Sequence, residues 1–198
     1  TAWTSAEADG SEGAEWGDYD NDGDLDILCA AGGSKRVYKN IGSSDFSLAW
    51  SLVAAESNHE AVWGDYDGDG DLDFTVAEEN GTNKTYRNDG GDNFSLSWST
   101  VLEDDTYDVM WGDFDNDGDL DQLFGSRSQA NRIYLNEGSD TFPLAWSGDT
   151  DQTIGLDCAD YDEDGDLDFV SVSISLGVTR LYRNDGGDRY NNNWNSSH

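Results

Sequence analysis

The chain of 198 residues has one proline, two cysteines, two histidines and only ten lysine and arginine residues. Because the formal net charge is −33, no basic surface is available for nucleic acid or anionic membranes. No apolar run approaches the roughly 20 residues that a membrane-spanning helix requires. These absences predict a protein with no nucleic-acid partner and no membrane insertion. The lack of a proline-rich linker agrees with a single domain over residues 1–198.

Low hydrophobicity with high charge is typical of disorder, but the aromatic residues argue against disorder here. The chain contains eight tryptophans, nine tyrosines and seven phenylalanines. All eight tryptophans fall at two positions of a repeating unit: Trp3, Trp50, Trp98, Trp146 and Trp194 at one, and Trp16, Trp63 and Trp111 at the other. Such placement predicts packing in a core. Platforms on which sugar rings stack are the alternative interpretation.

Aspartate is concentrated in four copies of a nine-residue loop, which has glycine at position 6 and leucine at position 8 in every copy. The loops cover residues 18–26, 65–73, 113–121 and 160–168, and they begin 47, 48 and 47 residues apart. The predicted metal ligands are the aspartates at positions 1, 3, 5, 7 and 9 of the loops: Asp18, Asp20, Asp22, Asp24, Asp26, Asp65, Asp67, Asp69, Asp71, Asp73, Asp113, Asp115, Asp117, Asp119, Asp121, Asp160, Asp162, Asp164, Asp166 and Asp168.

Five carboxylates this close together repel one another unless a hard cation lies among them. Calcium takes six to eight oxygen ligands at roughly 2.3–2.6 Å, so the sequence predicts four Ca²⁺ sites, one per repeat. Position 7 is expected to offer its backbone carbonyl and to leave its carboxylate pointing outward. An EF-hand would need glutamate at position 12, where this chain has Cys29, Val76, Phe124 and Ser171. The loops are therefore expected to lie in β-hairpins.

Two further markers follow each loop at the same period. A Tyr-x-Asn-x-Gly segment at 38–42, 86–90, 134–138 and 182–186 predicts hairpin turns, and an aromatic segment ending in tryptophan predicts a strand. The short apolar runs at 25–30, 72–77, 120–125 and 167–172 predict another strand in each unit. We therefore predict an all-β fold of four tandem four-stranded blade-like repeats of about 47 residues, a β-propeller or propeller-like array.

The predicted repeats cover residues 3–49, 50–97, 98–145 and 146–193, and residues 194–198 are expected to start a fifth equivalent strand. Trp3 and Trp194 occupy the same repeat position, which gives five copies of the tryptophan strand for four loops. A surplus strand beside an open sheet edge can pair with another molecule. Repeated head-to-tail contact of that kind produces fibres. Self-association is therefore one predicted interaction.

The repeats resemble the FG-GAP/VCBS family, the calcium-binding blades of integrin α-subunit propellers and of many secreted bacterial proteins. Trp16-Gly17, Trp63-Gly64 and Trp111-Gly112 stand where that family has Phe-Gly, and the loop matches at all four sites. The fourth repeat departs from the pattern, because it has Cys158-Ala159 at this place. The resemblance implies calcium binding and a β-propeller-like fold.

The leading functional hypothesis is a non-catalytic, calcium-binding structural or adhesive module outside the cell or at its surface. Its predicted partners are further copies of the chain or other extracellular proteins. A carbohydrate-binding, lectin-like propeller with glycan ligands is the alternative. We predict no enzymatic activity, since the carboxylate clusters are assigned to metal and no nucleophile-base motif surrounds His59 or His198. His59 is expected to be a solvated loop residue.

Two smaller features leave alternatives open. Cys29 and Cys158 are either small buried hydrophobic residues or the two ends of a disulfide between the first and last repeats. Four N-glycosylation sequons begin at Asn80, Asn83, Asn93 and Asn195. In a chain so rich in asparagine and serine, chance accounts for most of them.

Overall fold

A computed structural model describes residues 3–7, 10–54, 57–174, 177–186 and 190–195, and for 191–195 it describes the backbone alone. These residues form sixteen strands and, as predicted, no helix. The described part of the chain thus contains no helix that could cross a membrane. The strands form four antiparallel sheets, and each sheet consists of four strands in chain order.

The strand bounds show the repeat directly. The first sheet contains β1 (Ser11–Gly17), β2 (Asp26–Ala31), β3 (Ser34–Asn40) and β4 (Phe46–Val53). The second contains β5 (Asn58–Gly64), β6 (Asp73–Glu78), β7 (Lys84–Asn88) and β8 (Phe94–Ser99). The third contains β9 (Thr106–Gly112), β10 (Asp121–Ser126), β11 (Ala130–Tyr134) and β12 (Leu144–Thr150). The fourth contains β13 (Thr153–Ala159), β14 (Asp168–Ser173), β15 (Thr179–Asn184) and β16 (Tyr190–Asn195).

Hairpin turns of two kinds organise each sheet. The acidic loop joins the first strand to the second, and the Tyr-x-Asn-x-Gly segment leads from the third strand into the fourth. In the first sheet this second turn has left-handed φ values of +80° at Gly42 and +57° at Ser43. The Asn40 side-chain oxygen accepts a hydrogen bond of 2.9 Å from the Gly42 N–H. The predicted hairpin turns are therefore confirmed.

The hydrophobic core lies between consecutive sheets. Each of its three clusters combines residues of two neighbouring sheets, from the first and second, the second and third, and the third and fourth. The second strands β6 and β10 are buried along their whole length. A four-stranded sheet thus buries most of its apolar surface against its neighbours, which is the usual arrangement in repeat proteins.

The sheets meet through their first strands. In the described residues, extensive contacts join β1 with β5, β5 with β9 and β9 with β13, while no contact of similar extent joins the fourth sheet to the first. A buried ion pair adds to the first of these interfaces. Lys35 Nζ lies 2.8 Å from Glu78 Oε1 and 2.7 Å from Asn58 Oδ1, and both partners belong to the second sheet. Buried charges are tolerated when they are paired in this way.

The fourth strand of every sheet carries a β-bulge next to its tryptophan. In the first sheet, Val37 pairs with Trp50 and Tyr38 pairs with Leu48, so that Ala49 is an extra residue. The same irregularity recurs in β8, β12 and β16. A bulge bends a strand and redirects its side chains. The Trp50 ring packs on the second sheet, with its centroid 5.6 Å from that of Phe74.

The sheets begin and end at different places from the predicted repeats. Each sheet ends with the tryptophan strand, whereas each predicted repeat begins with it. Trp194 lies in β16, the last strand of the fourth sheet, and residues 3–7 contain no strand. The described residues therefore contain four copies of this strand, and residues 196–198 of the predicted fifth strand lie outside them. Each sheet ends with this strand because the short Tyr-x-Asn-x-Gly turn pairs the third strand with the strand that follows it.

The cysteines and the sequon asparagines occupy distinct environments. Cys29 and Cys158 are half-buried, and no disulfide joins these two described residues. Cys158 packs in the core between the third and fourth sheets, as the hydrophobic interpretation predicts for that residue. Asn83 is buried and donates to Thr106 Oγ1, whereas Asn80 is exposed. The predicted sequon at Asn195 lies outside the residues whose side chains are described.

Candidate metal centres in the acidic loops

The first aspartate of each loop curls the backbone around itself. In the third loop, Asp113 Oδ1 accepts the N–H of Asp117 and Oδ2 accepts the N–H of Gly118, both at 3.1 Å. Asp117 Oδ1 in turn accepts the N–H of Asp119 at 2.9 Å. The first and fourth loops have the same three bonds, and the second loop has two of them. The loop geometry is thus fixed by the carboxylates that were predicted to bind metal.

Two positions of each loop have left-handed backbone. The position 6 glycines have φ values from +93° to +99°: Gly23, Gly70, Gly118 and Gly165. This agrees with the predicted sharp bend, since only glycine adopts such angles freely. Position 4 is also left-handed, with φ +58° at Asn21 and +62° at Asn116. Asparagine tolerates this conformation better than most residues.

The last aspartate of each loop is buried and has two hydrogen-bonding partners of its own. Asp121 Oδ2 accepts the N–H of Phe114, and Oδ1 accepts the N–H of Asn136, both at 2.7 Å. Asp26, Asp73 and Asp168 make the equivalent pairs of bonds. This carboxylate therefore fastens the acidic loop to the turn between the third and fourth strands. The sequence pattern predicted only metal binding for this residue.

Burial changes the acidity of the last aspartate in the second and third loops. Burial raises the pKa of Asp73 to about 7, against the lowering effect of the hydrogen bond from Asn88, and the nearby Asp67 carboxylate raises it further. The pKa of Asp121 is also raised to about 7 by burial and by the neighbouring Asp115. A carboxylate held this way favours a bound proton or a bound cation.

The structure brings three carboxylates together in every loop. Oxygen atoms within 4.8 Å of one another come from positions 1, 3 and 9 in three loops, and from positions 1, 3 and 5 in the first: Asp65, Asp67 and Asp73; Asp113, Asp115 and Asp121; Asp160, Asp162 and Asp168; Asp18, Asp20 and Asp22. One oxygen each of Asp20 and Asp65 is buried without a hydrogen-bonding partner. These oxygen-only clusters fit a hard cation such as calcium.

The carboxylates of the position 7 aspartates lie outside the clusters, and two of them have a different role. Asp71 Oδ1 accepts a hydrogen bond of 2.8 Å from Asn21 Nδ2 in the preceding loop. Asp166 Oδ1 accepts one of 2.6 Å from Asn116 Nδ2. Their carboxylates therefore join neighbouring loops in the first and last pairs of sheets.

The first loop also contacts a cation of the protein itself. The Lys39 ammonium forms an ion pair with Asp20 and lies 3.3 Å from Asp22 Oδ2. The hydrogen bond to Asp20 raises the pKa of Lys39, so this group stays charged. The third loop has Leu135 at the equivalent position. The four loops therefore share one backbone design but differ in electrostatic surroundings.

Asparagine side chains connect each loop to the next sheet. Asn136 Nδ2 donates to the carbonyl of Tyr66 at 2.8 Å, and the ring of Tyr66 stacks on Trp111 with centroids 6.0 Å apart. Equivalent bonds run from Asn88 and Asn184 to the loops before them. The sequence pattern predicted only a turn role for these asparagines. Their fixed distance from each loop was the signal that could have indicated the second role.

Comparison with known proteins agrees with this geometry. A family model described as FG-GAP-like repeat matches three overlapping segments, residues 18–76, 65–124 and 113–171. The chain belongs to this family. It is a tandem-repeat module of the integrin-like type. A search of curated proteins found no match.

Each FG-GAP-like match starts at an acidic loop and extends through the next one. The structure explains the aromatic-glycine pair of these repeats. A Cβ atom on Gly64 would lie 2.7 Å from the Trp111 ring of the following sheet, so this interface requires glycine. Ala159 takes the glycine's place in the fourth sheet, where it is exposed and no further sheet follows in the described chain.

Proposed function

We propose that this FG-GAP-like module is a non-catalytic calcium-binding structural protein that acts in adhesion or surface assembly outside the cell. The observation that carries the proposal is the set of four carboxylate clusters, in loops that share the same two backbone hydrogen bonds. Cation binding at these clusters would offset the repulsion within a chain of net charge −33. An extracellular or cell-surface location suits such sites, because extracellular modules bind calcium with about 10⁻⁴–10⁻³ M affinity.

Calcium in this role would be part of the fold rather than of a reaction. A ligand that binds only the folded state stabilises it by about 2.7 kcal/mol per site at one hundred times its dissociation constant. Asp121 and its equivalents Asp73 and Asp168 support this role, because each belongs to a cluster and also joins its loop to a turn. We therefore assign these residues to metal binding and propose no catalytic function for them.

Self-association through the end sheets is part of the same proposal. Trp16 and Leu25 are exposed on the first sheet, and Tyr161 is exposed on the fourth. Their counterparts inside the array are packed between sheets. Two copies could therefore meet end to end, in a propeller-like array, without the surplus strand predicted from the sequence. Electron microscopy of the calcium-loaded protein tests this, and uniformly single particles would contradict it.

The carbohydrate-binding alternative requires exposed aromatic rings. Of the tryptophans whose side chains are described, Trp16 is the one that is largely exposed, while Trp63 is buried and Trp50 packs against the core. Core packing, the preferred interpretation of the tryptophans in the sequence, is therefore confirmed for Trp50 and Trp63. A glycan-array screen tests the lectin hypothesis directly.

Calcium titration of chelator-stripped protein tests the main proposal. We expect isothermal titration calorimetry to show four sites, and we expect excess chelator to lower the melting temperature strongly. The double variant Asp113→Asn/Asp115→Asn should lose one site. Asp119→Asn, at position 7 of the same loop, is the matched control and should keep all four. An unchanged melting temperature in excess chelator would rule out a structural role for calcium.

A further inference from the structure

Among the described residues, one cluster of side chains that could hold a metal ion lies outside the acidic loops. It consists of His59 in β5, Glu79 just after β6 and Asp105 just before β9, and one ligand atom of each lies within 4.8 Å of the others. The first two residues belong to the second sheet and the third to the third sheet. The cluster differs from the acidic loops in kind, because it contains an imidazole.

His59 is held in place from two sides. Its Nδ1 lies 2.6 Å from Glu12 Oε2 of β1, and its ring stacks on Tyr107 with centroids 3.7 Å apart. The side chain is only 10% exposed, so the expectation of a solvated loop residue is wrong. Because a carboxylate only accepts hydrogen bonds, Nδ1 is the donor in this contact, which leaves Nε2 as the ring nitrogen available to a metal. That Nε2 is buried and has no hydrogen-bonding partner.

Asp105 presents a second acceptor in the same condition. It is 7% exposed, and its Oδ2 accepts a hydrogen bond of 3.2 Å from Ser128 Oγ. Its Oδ1 is buried with no hydrogen-bonding partner. Buried polar atoms without partners are rare and costly. Two such acceptors lie in one cluster, beside the Glu79 carboxylate. A bound cation would supply the positive partner that both acceptors lack.

We propose that His59, Glu79 and Asp105 form a binding site for a divalent transition metal of the zinc class. Imidazole and carboxylate ligands suit Zn²⁺, whereas calcium prefers oxygen ligands alone. Three protein ligands leave one coordination position for water or another small ligand. The proposal does not depend on calcium binding by the loops.

The arrangement around the site resembles that of other histidine metal ligands. A ligating histidine usually donates its other N–H to a carboxylate, which fixes the ring and increases its basicity. Glu12 supplies that carboxylate from the first sheet, so residues of three sheets meet at this point. A bound ion would join the second and third sheets directly, and the first through Glu12.

Zinc titration of the calcium-saturated protein tests the proposal. We expect one zinc site beyond any in the loops, and we expect His59→Phe, which keeps a ring against Tyr107, to weaken it at least about 100-fold. Glu12→Gln should weaken it about 10-fold, within the range for residues that orient a ligand. Glu103→Gln, an exposed carboxylate near Asp105, is the matched control. Equal zinc affinity in the wild type and His59→Phe would overturn the proposal.

A second measurement needs no variant. The sequence has only two histidines, so the imidazole nitrogens of His59 can be followed by ¹⁵N nuclear magnetic resonance. Zinc should shift Nε2 toward the metal-bound range and leave Nδ1 protonated. If His59 is instead a protonated imidazolium that pairs with the carboxylates, Nε2 will not respond to zinc, and the proposal fails.

Discussion

The inner and outer faces of the array carry the same residues in opposite environments. Trp63 of the second sheet is 9% exposed, whereas Trp16, its counterpart in the first sheet, is 60% exposed. Tyr66 is 4% exposed, and the equivalent Tyr161 of the fourth sheet is 51% exposed. The repeat therefore does not bury its own aromatic residues. The neighbouring sheet buries them, so stability depends on the interfaces between repeats.

One residue partly covers the outer face of the first sheet. The Trp3 ring lies 5.1 Å from Tyr38 and 5.2 Å from Phe46. Inside the array, Trp50 makes the same contacts with the second sheet, 5.7 Å from Tyr86 and 5.6 Å from Phe94. Trp3, which lies outside any strand, thus makes the ring contacts that the tryptophan of a preceding sheet would make. Trp16 remains exposed beside it.

The largest expected difference in stability is between variants of Trp63 and Trp16. Trp63→Ala should lower the free energy of unfolding by about 3–5 kcal/mol, because it leaves a cavity between the first and second sheets. Trp16→Ala should cost about 1 kcal/mol or less, since its ring is mostly exposed. Urea unfolding at saturating calcium measures both. Similar losses in the two variants would show that the outer face is buried in solution.

A smaller difference in stability is expected between variants of two equivalent asparagines, Asn136 and Asn40. Asn136 and Asn40 make the same two hydrogen bonds within their own repeats. Asn136 donates to the carbonyl of Leu120 and accepts from the N–H of Gly138. Asn40 donates to the carbonyl of Leu25 and accepts from the N–H of Gly42. Only Asn136 also reaches the carbonyl of Tyr66 in a preceding loop. Asn136→Ala should therefore lower the free energy of unfolding by about 1 kcal/mol more than Asn40→Ala. Equal losses, again by urea unfolding, would mean that the bond between sheets adds nothing.

The smallest expected effect is a pH dependence of stability, which arises from Asp108 at the interface of the third and fourth sheets. Asp108 Oδ2 accepts the N–H of Leu156 at 2.7 Å, and burial raises the pKa of Asp108. The folded state then binds the proton more tightly than the unfolded state. Its stabilising contribution is complete at acid pH and is lost as pH rises through the raised pKa.

Asp108→Asn keeps an acceptor for Leu156 but does not titrate. The stability of this variant relative to the wild type should therefore increase from acid to neutral pH. We expect the increase to be smaller than the difference between Asn136→Ala and Asn40→Ala. Thermal unfolding in saturating calcium across this range measures the difference. Glu137→Gln, in an exposed turn, controls for the loss of one negative charge. A difference that stays constant with pH would contradict the prediction.

Local signals predicted much of the fold. Glycine and aspartate spacing identified the four loops, and the strand runs at 25–30 and its equivalents match the second strands to within one residue. The three-carboxylate clusters also involve only predicted residues. These features depend on neighbouring residues in the chain, where sequence patterns are informative.

Contacts between repeats could not be predicted in the same way. Lys35 and Glu78 join positions that are not equivalent in the repeat, and so do the three residues of the His59 cluster. No periodic pattern marks such pairs, since each occurs once. His59 was assigned to solvent because neither its strand nor its partners are visible in the adjacent residues. The packing of one sheet on another brings them together.

Lys39 has a consequence for how the array would behave when calcium is scarce. The first loop keeps a positive charge tethered beside Asp20, while the third loop, with Leu135, has no equivalent. If the loops bind calcium as proposed, its withdrawal should leave the carboxylates of the first loop better compensated than those of the third. We then expect the third repeat to loosen before the first, so the weakest point of such an array need not be one of its ends.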